Sequence, residues 1–451
     1  MKIFFDSLGC PKALVDAERM CFYLRGKGLD LTFSTEDADV IVVNTCGFIE
    51  SAKEESIDAI LQYASIKDNR PDLKIVVAGC LSERYREELL RSVPEIDSAI
   101  GVRDPKKIVD AVLLSVKTGN LLDEGEYADF SSETQRELVF SGLYYAYLKI
   151  SEGCDRNCAF CAIPSIRGKE RSRPVEDILS EAQFLLDSGV RELILVGEDI
   201  TSYGRELYGK KAIVDLIKRL ADLDFKWIRL LYLFPDDIIY EIASLLKERD
   251  NLCNYIDIPL QHASGRVLRR MNRPGGMDEY INIIDRLRDI NPDIAIRSAF
   301  IVGFPGETDE DFGELKEFLT RTRLNRAGFF AYSDEENTSA YGLDGKLNKR
   351  IINARLKEIS ALQESISRET ISSYIGKTLV CINDGIAVGR DGDKGREIVL
   401  RSEYDAPEID GAVYADFYGD IEDIDFVKVK INGVRNNYDL QGEIIDAEKT
   451  D

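Results

Sequence analysis

The sequence predicts an α/β protein in three parts: an N-terminal doubly wound parallel-sheet domain over 1–118, a central partial (β/α) barrel over 141–374, and a small antiparallel β-barrel over 375–446. Three observations carry this. Strand-like and helix-like runs alternate through residues 1–118 and again from Tyr144 to about residue 374, the pattern of βαβ units. Between them, residues 119–140, beginning GNLLDEGEYADF, lose that periodicity and read as a polar linker. Beyond Gly376 the chain turns to short β-like runs broken by Gly and Asp: TLVCIND, REIVLRS, AVYADFYG, FVKVKING and LQGEII.

In the first part, Lys2–Phe5 reads as a short apolar strand. Pro11–Lys27 reads as a helix whose Pro11 suits a first turn, where its missing N–H costs nothing. DVIVVN (Asp39–Asn44) and KIVVA (Lys74–Ala78) are unbroken apolar runs, expected of parallel strands covered on both faces. Helical patterns follow at about 49–66, 83–91 and 105–116. In the central part strands are expected near 144–150, 192–197, 227–233, 255–260, 296–303 and 327–332, with helices between. Six such units make a partial barrel, whose reactive groups gather at the C-terminal strand ends. Arg350–Tyr374 is a long helical pattern leading out of it.

The chain of 451 residues has the composition of a globular protein with ample length for buried cores. No apolar run is long enough to span a membrane, and Asp6 interrupts the short apolar start, so neither membrane segment nor signal peptide is expected. Nine cysteines are an odd number without the density of a disulfide scaffold, which suits a reduced, cytoplasmic protein. The net charge is −23, from 59 basic and 82 acidic side chains, and beyond Gly376 there are 9 Lys/Arg against 18 Asp/Glu. Binding to a phosphate backbone calls for a basic face. An acidic field favours a basic protein partner, or serves solubility alone.

The run GCDRNCAFC places Cys154, Cys158 and Cys161 in a C-x3-C-x2-C spacing just after the first barrel strand. Three thiolates in one loop can hold three irons of a [4Fe–4S] cube and leave the fourth open. A zinc site would want a fourth Cys or His nearby, and the chain's single histidine is His262. Three unrelated core cysteines are the remaining alternative. With the aromatic Phe160 before its last cysteine, the motif resembles that of the radical-SAM superfamily, in which the open iron chelates S-adenosyl-L-methionine.

A second triad is spread over the first domain. Cys10, Cys46 and Cys80 each follow an expected strand, in SLGCPK, NTCG and AGCL. At the carboxyl edge of an open parallel sheet adjacent loops share one crevice, so residues 36 and 34 apart can meet there. Helix N-termini after these positions favour thiolates, and Gly9, Gly47 and Gly79 permit close backbone approach. Core packing is the alternative for any one of the three, and is the expected role of Cys21, Cys253 and Cys381.

With both triads in this order, the chain resembles the methylthiotransferase family of radical-SAM enzymes over nearly its whole length. Further runs are similar to the branch that acts on small-subunit ribosomal protein twelve: SLGCPKALVDAER, KISEGCDRNCAFCAIPSIRGKERSRP, RLLYLFPDDI, YIDIPLQHAS, IRSAFIVGFPGETDEDF and DAPEIDG. The chain departs from the family pattern at Ala13, where Asn is favoured, at Glu198, where a Gln-Asp-Thr run is typical, and in YSDEENTSAYGL. The resemblance implies an auxiliary-cluster domain, a radical-SAM barrel and a TRAM domain. It implies two [4Fe–4S] clusters, on Cys154, Cys158 and Cys161 and on Cys10, Cys46 and Cys80. The first would generate a radical from S-adenosyl-L-methionine, and the second would supply sulfur for a methylthio group placed on the β-carbon of an aspartate. The implied partners are that basic ribosomal protein and an electron donor such as flavodoxin or ferredoxin.

Other cofactor contacts are expected from position. Phe160 lies in the motif itself. Gly197, Glu198 and Asp199 end the second barrel strand, where acceptors could hold the methionine ammonium. Gly303 and Gly306 end the fifth, where small residues would admit an adenine edge, or simply make a turn. Gln261 is placed to line the cavity, while neighbouring His262 is equally suited to a structural hydrogen bond. Arg297 would pair with the cofactor carboxylate or with a neighbouring acid. Two other functions remain in play: the same chemistry on a transfer-RNA adenosine, against which the acidic last domain and DAPEIDG speak, and a non-catalytic iron–sulfur factor that binds ribosomes.

Overall fold

The structure, a computed structural model, describes residues 1–115, 134–387, 396–417 and 424–449. The expected end of the first domain at 118 and most of the linker 119–140 lie outside the described residues. No described helix is long and apolar enough to cross a membrane.

The first domain is a five-stranded parallel sheet of β1 (Lys2–Ser7), β2 (Asp30–Thr32), β3 (Val40–Thr45), β4 (Lys74–Gly79) and β5 (Ser98–Ala99), in the order β2-β1-β3-β4-β5. Successive side chains of a strand point to opposite faces, and the two apolar strands obey this. Val40, Val42, Val76 and Ala78 pack with α1 (Pro11–Gly26) and α4 (Ile108–Ser115). Ile41, Val43, Ile75 and Val77 pack with α2 (Glu50–Lys67) and α3 (Cys80–Ser92). Chain order reverses between β1 and β3, and at such a switch point the loops after the strands diverge and leave a crevice. Strands β2 and β5 were not expected. At three and two residues they are too short to carry a periodic signal.

Six parallel strands build the central domain: β6 (Tyr145–Lys149), then, after a short antiparallel ribbon of β7 (Ser151–Glu152) and β8 (Arg171–Ser172), β9 (Glu192–Val196), β10 (Trp227–Leu230), β11 (Tyr255–Asp257), β12 (Ala295–Val302) and β13 (Arg326–Ala331). They form two leaves, β10-β9-β6 and β11-β12-β13, joined by a bridge between Ile228 and Leu252 and by the Leu233 N–H donating to the Asp257 carbonyl at 2.9 Å. The helices α6 (Val175–Asp187), α8 (Ile213–Ala221), α9 (Ile238–Glu248), α11 (Met277–Ile290) and α12 (Asp309–Thr322) pack outside the strands in one continuous apolar core. Thr308 and Asp311 close a reciprocal capping box on α12, an arrangement that typically contributes about 1 kcal/mol.

Helix α13 (Lys349–Ser372) carries the chain to a closed barrel of β14 (Thr378–Ile386), β15 (Arg396–Ser402), β16 (Val413–Phe417), β17 (Ile424–Val434) and β18 (Leu440–Lys449). It is antiparallel except for the pair β16–β18, which is parallel.

Buried charges fasten the parts together. Glu181 of α6 receives Arg173 at 2.7 Å, Arg19 of α1 at 3.1 Å and Arg136 at 3.5 Å, all nearly inaccessible to solvent. On the other side Glu192 of β9 pairs with Arg229 at 2.7 Å and with Arg401 of the last domain at 2.5 Å. Burial opposes ionisation of Glu181, but Arg173, Arg19 and Arg136 outweigh it and hold the carboxyl near about 2. Its folded-state pKa therefore lies below the ordinary glutamate value of 4.5. The stabilisation is complete above about pH 4.5 and is lost as pH falls from there towards about 2. Glu181→Gln, leaving buried guanidinium groups without their carboxylate, should cost about 3–5 kcal/mol in denaturant melts at pH 7. The deficit relative to the parent should shrink as both are melted at successively lower pH below 4.5.

Candidate active site

The crevice at the first sheet's carboxyl edge faces the mouth of the central barrel. Cys10 caps α1, with Pro11 as its first residue, and Cys80 opens α3, so two of the three cysteines sit at helix N-termini. Cys46 follows β3, and its backbone is fixed at both ends by Ser56, whose hydroxyl accepts from the Cys46 N–H and donates to its carbonyl, each at 3.0 Å. The glycines explain how the loops meet. A Cβ on Gly47 would lie 2.7 Å from the Leu81 nitrogen. One on Gly79, whose φ is +99°, would lie 2.4 Å from the Thr45 carbonyl oxygen. Cys80 is buried against Arg167, whose Nη2 donates to its Sγ at 3.6 Å. Burial pushes the Cys80 thiol up to about 12 against the pull of Arg167, with Cys10 and Cys46 as further charge neighbours.

The second set lies on the loop between β7 and α5 (Ile163–Ile166). That loop is pinned by the Cys154 N–H to Gly168 (3.1 Å), the Ala159 N–H to Met271 (2.8 Å) and Asn272 to the Asn157 carbonyl (2.7 Å). Cys154 Sγ accepts from the Arg156 N–H at 3.3 Å, and Cys158 Sγ accepts from Arg273 at 3.6 Å. Burial raises Cys154 to about 12 and drives Cys161 up as well. All nine cysteines are free. Among the described residues no three Cys, His, Asp or Glu side chains converge tightly enough to hold a single metal ion. A cubane gives each thiolate its own iron and so takes wider spacing. Buried and half-buried sulfurs, of which Cys80, Cys154 and Cys158 receive N–H donors, form a donor set suited to such a cluster.

Cys154, Cys158 and Cys161 line a cavity of about 430 Å³. Of the other expected contacts, Phe160, Glu198, Asp199, Gln261 and Arg297 are in its wall. Gly197, Gly303 and Gly306 are not among its lining residues. The Gly197 carbonyl accepts from Lys12 at 3.4 Å. Gly303 and Gly306, at φ +84° and +81°, make a turn: the Gly303 N–H donates to Glu307 at 2.7 Å, and a Cβ there would run into Ile352. His262 is fully buried, its Nδ1 accepting the Ser264 N–H, which is the structural role.

Several charged groups in the wall are held by partners. Asp199 caps a short helical turn by accepting from Thr201 and pairs with Arg156 at 2.8 Å. Arg297 pairs with Asp257 at 2.8 Å and with Asp410, in DAPEIDG, at 3.4 Å. Glu198 pairs with Lys12 at 2.8 Å, and Lys12 lies over the Tyr232 ring at 4.5 Å. Burial works against the Lys12 ammonium, but Glu198 and the neighbouring Cys10 outweigh it and raise its pKa. The remaining wall is mostly apolar, including Phe48 and Ile49 from the Cys46 loop, Phe234, Ile301 and Phe330, with Ile409 from the last domain. All three parts of the chain therefore meet in one space. Sequence reasoning missed Arg156, Tyr232, Arg273, Phe330 and Ile409 as wall residues. Arg156, Tyr232 and Ile409 lie in the runs GCDRNCAFC, RLLYLFPDDI and DAPEIDG, but nothing local marks any of the five as a wall residue, because they come together only through folding.

The acidic excess of the last domain is partly internal. Asp405, Asp410 and Asp425 reach Arg326, Arg297 and Arg191 of the central domain, so these acids serve the interface and are not a docking face.

Comparison with known proteins adds to this picture. Residues 148–319 match the Radical SAM superfamily, 2–101 match the uncharacterized protein family UPF0004, and 375–445 match the TRAM domain. Among solved structures, a radical S-adenosylmethionine methyltransferase, TsrM from Kitasatospora setae, has a TM-score of 0.53 at 13% identity, covering 87% of this chain and 81% of that one. The cobalamin-dependent radical enzyme OxsB scores 0.51 at 13% identity, covering 80% of this chain and 56% of that one. Both speak to the fold alone. Three relatives, from Lachnoclostridium phytofermentans, Clostridioides difficile and Thermotoga maritima, are each 41% identical. The alignments cover 98%, 99% and 99% of this chain and 99%, 99% and 100% of theirs, and each is named ribosomal protein uS12 methylthiotransferase RimO.

Gly79→Ala tests the interlocking of the loops. An L side chain at that φ, against the Thr45 carbonyl, should lower stability by about 2 kcal/mol or more in thermal or denaturant melts.

A cysteine loop at the mouth of a parallel barrel, a crevice of three more cysteines beside it, and near full-length identity to these relatives lead to one conclusion: the chain belongs to the RimO family of radical-SAM methylthiotransferases.

Proposed function

We propose that the protein adds a methylthio group to the β-carbon of an aspartate in ribosomal protein uS12. The observation that carries this reading is the shared cavity. Cys154, Cys158 and Cys161 form one wall, while Lys12, Phe48 and Ile49 bring the loops of Cys10 and Cys46 to another. A radical-generating centre and a sulfur-supplying centre must reach the same substrate carbon, and this arrangement supports that.

S-adenosylmethionine and an iron–sulfur cluster are the cofactors of a radical-SAM enzyme, and we assign two clusters, one to each cysteine triad. Together they supply a carbon radical able to take hydrogen from an unactivated C–H bond, and sulfur to replace it, chemistry beyond acid–base catalysis. The residues of the chain do the rest. Cys154, Cys158 and Cys161 hold one cluster; Cys10, Cys46 and Cys80 hold the other. Asp199 and Glu198 present acceptors to a cofactor ammonium, each oriented by its cation. Arg297 presents a guanidinium kept in place by Asp257 and Asp410. Phe160, Phe234 and Ile301 exclude water from the reacting atoms. Electrons come from an external one-electron donor of the flavodoxin or ferredoxin kind.

The protein substrate is favoured over transfer RNA by the relatives' names and by the overall charge of −23, which opposes a phosphate backbone. Anaerobic turnover with reductant, S-adenosylmethionine, uS12 and transfer RNA in one vessel, followed by mass spectrometry, tests this. A methylthio mass gain on an aspartate of uS12 is expected. Gain on the RNA alone would overturn the substrate assignment.

The division of labour is tested separately. Alanine at Cys154, Cys158 or Cys161 should abolish 5′-deoxyadenosine formation. Alanine at Cys10, Cys46 or Cys80 should spare it, stop sulfur insertion and lower bound iron to about half. Full product from either set would sink the two-cluster scheme.

A further inference from the structure

We infer that Arg273 is the counter-cation of the cluster held by Cys154, Cys158 and Cys161 and raises that cluster's reduction potential; the inference rests on the function proposed above. Four cationic side chains line the cavity: Lys12, Arg156, Arg273 and Arg297. Three are neutralised by protein carboxylates, Lys12 by Glu198, Arg156 by Asp199 and Asp236, and Arg297 by Asp257 and Asp410. Arg273 differs. It is 8% exposed, yet no carboxylate among the described residues stands within ion-pair distance of it. Its guanidinium lies over the Phe234 ring at 4.5 Å and donates to the Pro259 carbonyl at 2.7 Å. The Tyr280 hydroxyl is also its neighbour, and its Nε has no partner. The remaining contact is Nη1 to Cys158 Sγ at 3.6 Å.

A buried guanidinium without a counter-charge is costly, and among the described residues the group beside it that becomes anionic as a cluster ligand is that sulfur. Three thiolates outweigh the positive charge of a cubane core, so the bound cluster is an anion, and one added electron makes it more negative. A fixed cation at hydrogen-bond distance from a ligating sulfur favours the reduced form over the oxidised one. Cys80 and Arg167 provide the contrast. That arginine also donates to a cysteine sulfur, but Asp16 and Glu152 are bonded to it and Glu198 lies 3.8 Å away. Its charge is spent within the protein, and Arg273's is not. The sequence places Arg273 in RRMNRPGG, after α10 (Gly265–Arg270), and the Met271 carbonyl and Asn272 side chain beside it pin the cysteine loop. The segment that shapes the loop therefore also delivers its charge.

The test is an anaerobic redox titration of the reconstituted full-length holoenzyme, followed by electron paramagnetic resonance. The signal that changes on adding S-adenosylmethionine identifies the cluster in question. Arg273→Gln removes the charge, and Arg273→Lys keeps it without the planar fork. At a fixed solution potential Arg273→Gln should lower the ratio of reduced to oxidised cluster about tenfold, or about 59 mV for a one-electron couple, while Arg273→Lys stays within about twofold of the parent. Loss of iron from Arg273→Gln alone, with Arg273→Lys loaded and at the parent potential, also supports the assignment. Equal shifts in both variants, no shift in either, or loss of iron from both would overturn it and leave Arg273 a role in loop shape. A parent enzyme without any S-adenosylmethionine-sensitive signal would instead sink the radical-SAM reading itself.

Discussion

A buried chain of charges ties the elements that carry the two cysteine triads to one another. Asp16 of α1 bonds Lys149 and Arg167, Glu152 bonds the same two cations, and Arg167 extends to Cys80 and towards Glu198, which closes on Lys12 beside Cys10. Asp16 and Lys12 belong to the first domain; Lys149, Glu152, Arg167 and Glu198 belong to the second. Each pair is almost wholly removed from water. Desolvation offsets most of the Coulomb gain of such pairs, so the network adds little net stability compared with apolar packing. What it does is fix register. A shift of one domain against the other would strand several unpaired charges at once, at about 3–5 kcal/mol for each broken pair. The two cysteine loops are therefore locked in place relative to one another.

The last domain is fastened by the same means from the other side. Arg401 on Glu192, Asp405 on Arg326 and Asp410 on Arg297 seat it against the barrel, with Tyr255 donating to Asp410 at 2.6 Å. The DAPEIDG segment thus both seats the last domain and reaches the cavity. Its acids neutralise barrel arginines, and Ile409 between them reaches the cavity wall, half exposed. A smaller ion-pair cluster ties the α2–α3 face to the end of β13: Arg84 and Lys53 both bond Glu335, and the Glu50 N–H donates to Ser333. The cavity is rimmed by all three domains because charged contacts pull each of them to it.

Much of this was legible beforehand. The apolar runs DVIVVN and KIVVA became β3 and β4, the six central strands appeared where alternation placed them, and Pro11 opens α1. Strand and helix signals are local, and local signals survive in sequence. The two very short strands and the parallel β16–β18 pair were not legible, since pairing partners are set by the rest of the sheet. In the site, Glu198, Asp199 and Gln261, expected at strand ends, and Arg297, expected to pair with the cofactor or a neighbouring acid, line the wall, while Gly303 and Gly306 make a turn against α13. The acidic balance of the last domain suggested a docking face, and part of it is interface.

By itself, the sequence determined the chemistry of the protein. A C-x3-C-x2-C loop, three cysteines each closing a strand, and the order of three units are written in spacing and periodicity, which depend only on neighbours along the chain. Only the tertiary structure decided which charges are satisfied and which are not. Lys12 finding Glu198, Asp410 finding Arg297, and Arg273 finding the Cys158 sulfur and, among the described residues, no carboxylate are outcomes of residues more than a hundred positions apart being buried together. In water each of these groups would be solvated and alike. In a low-dielectric wall the partner each one meets sets what it can do.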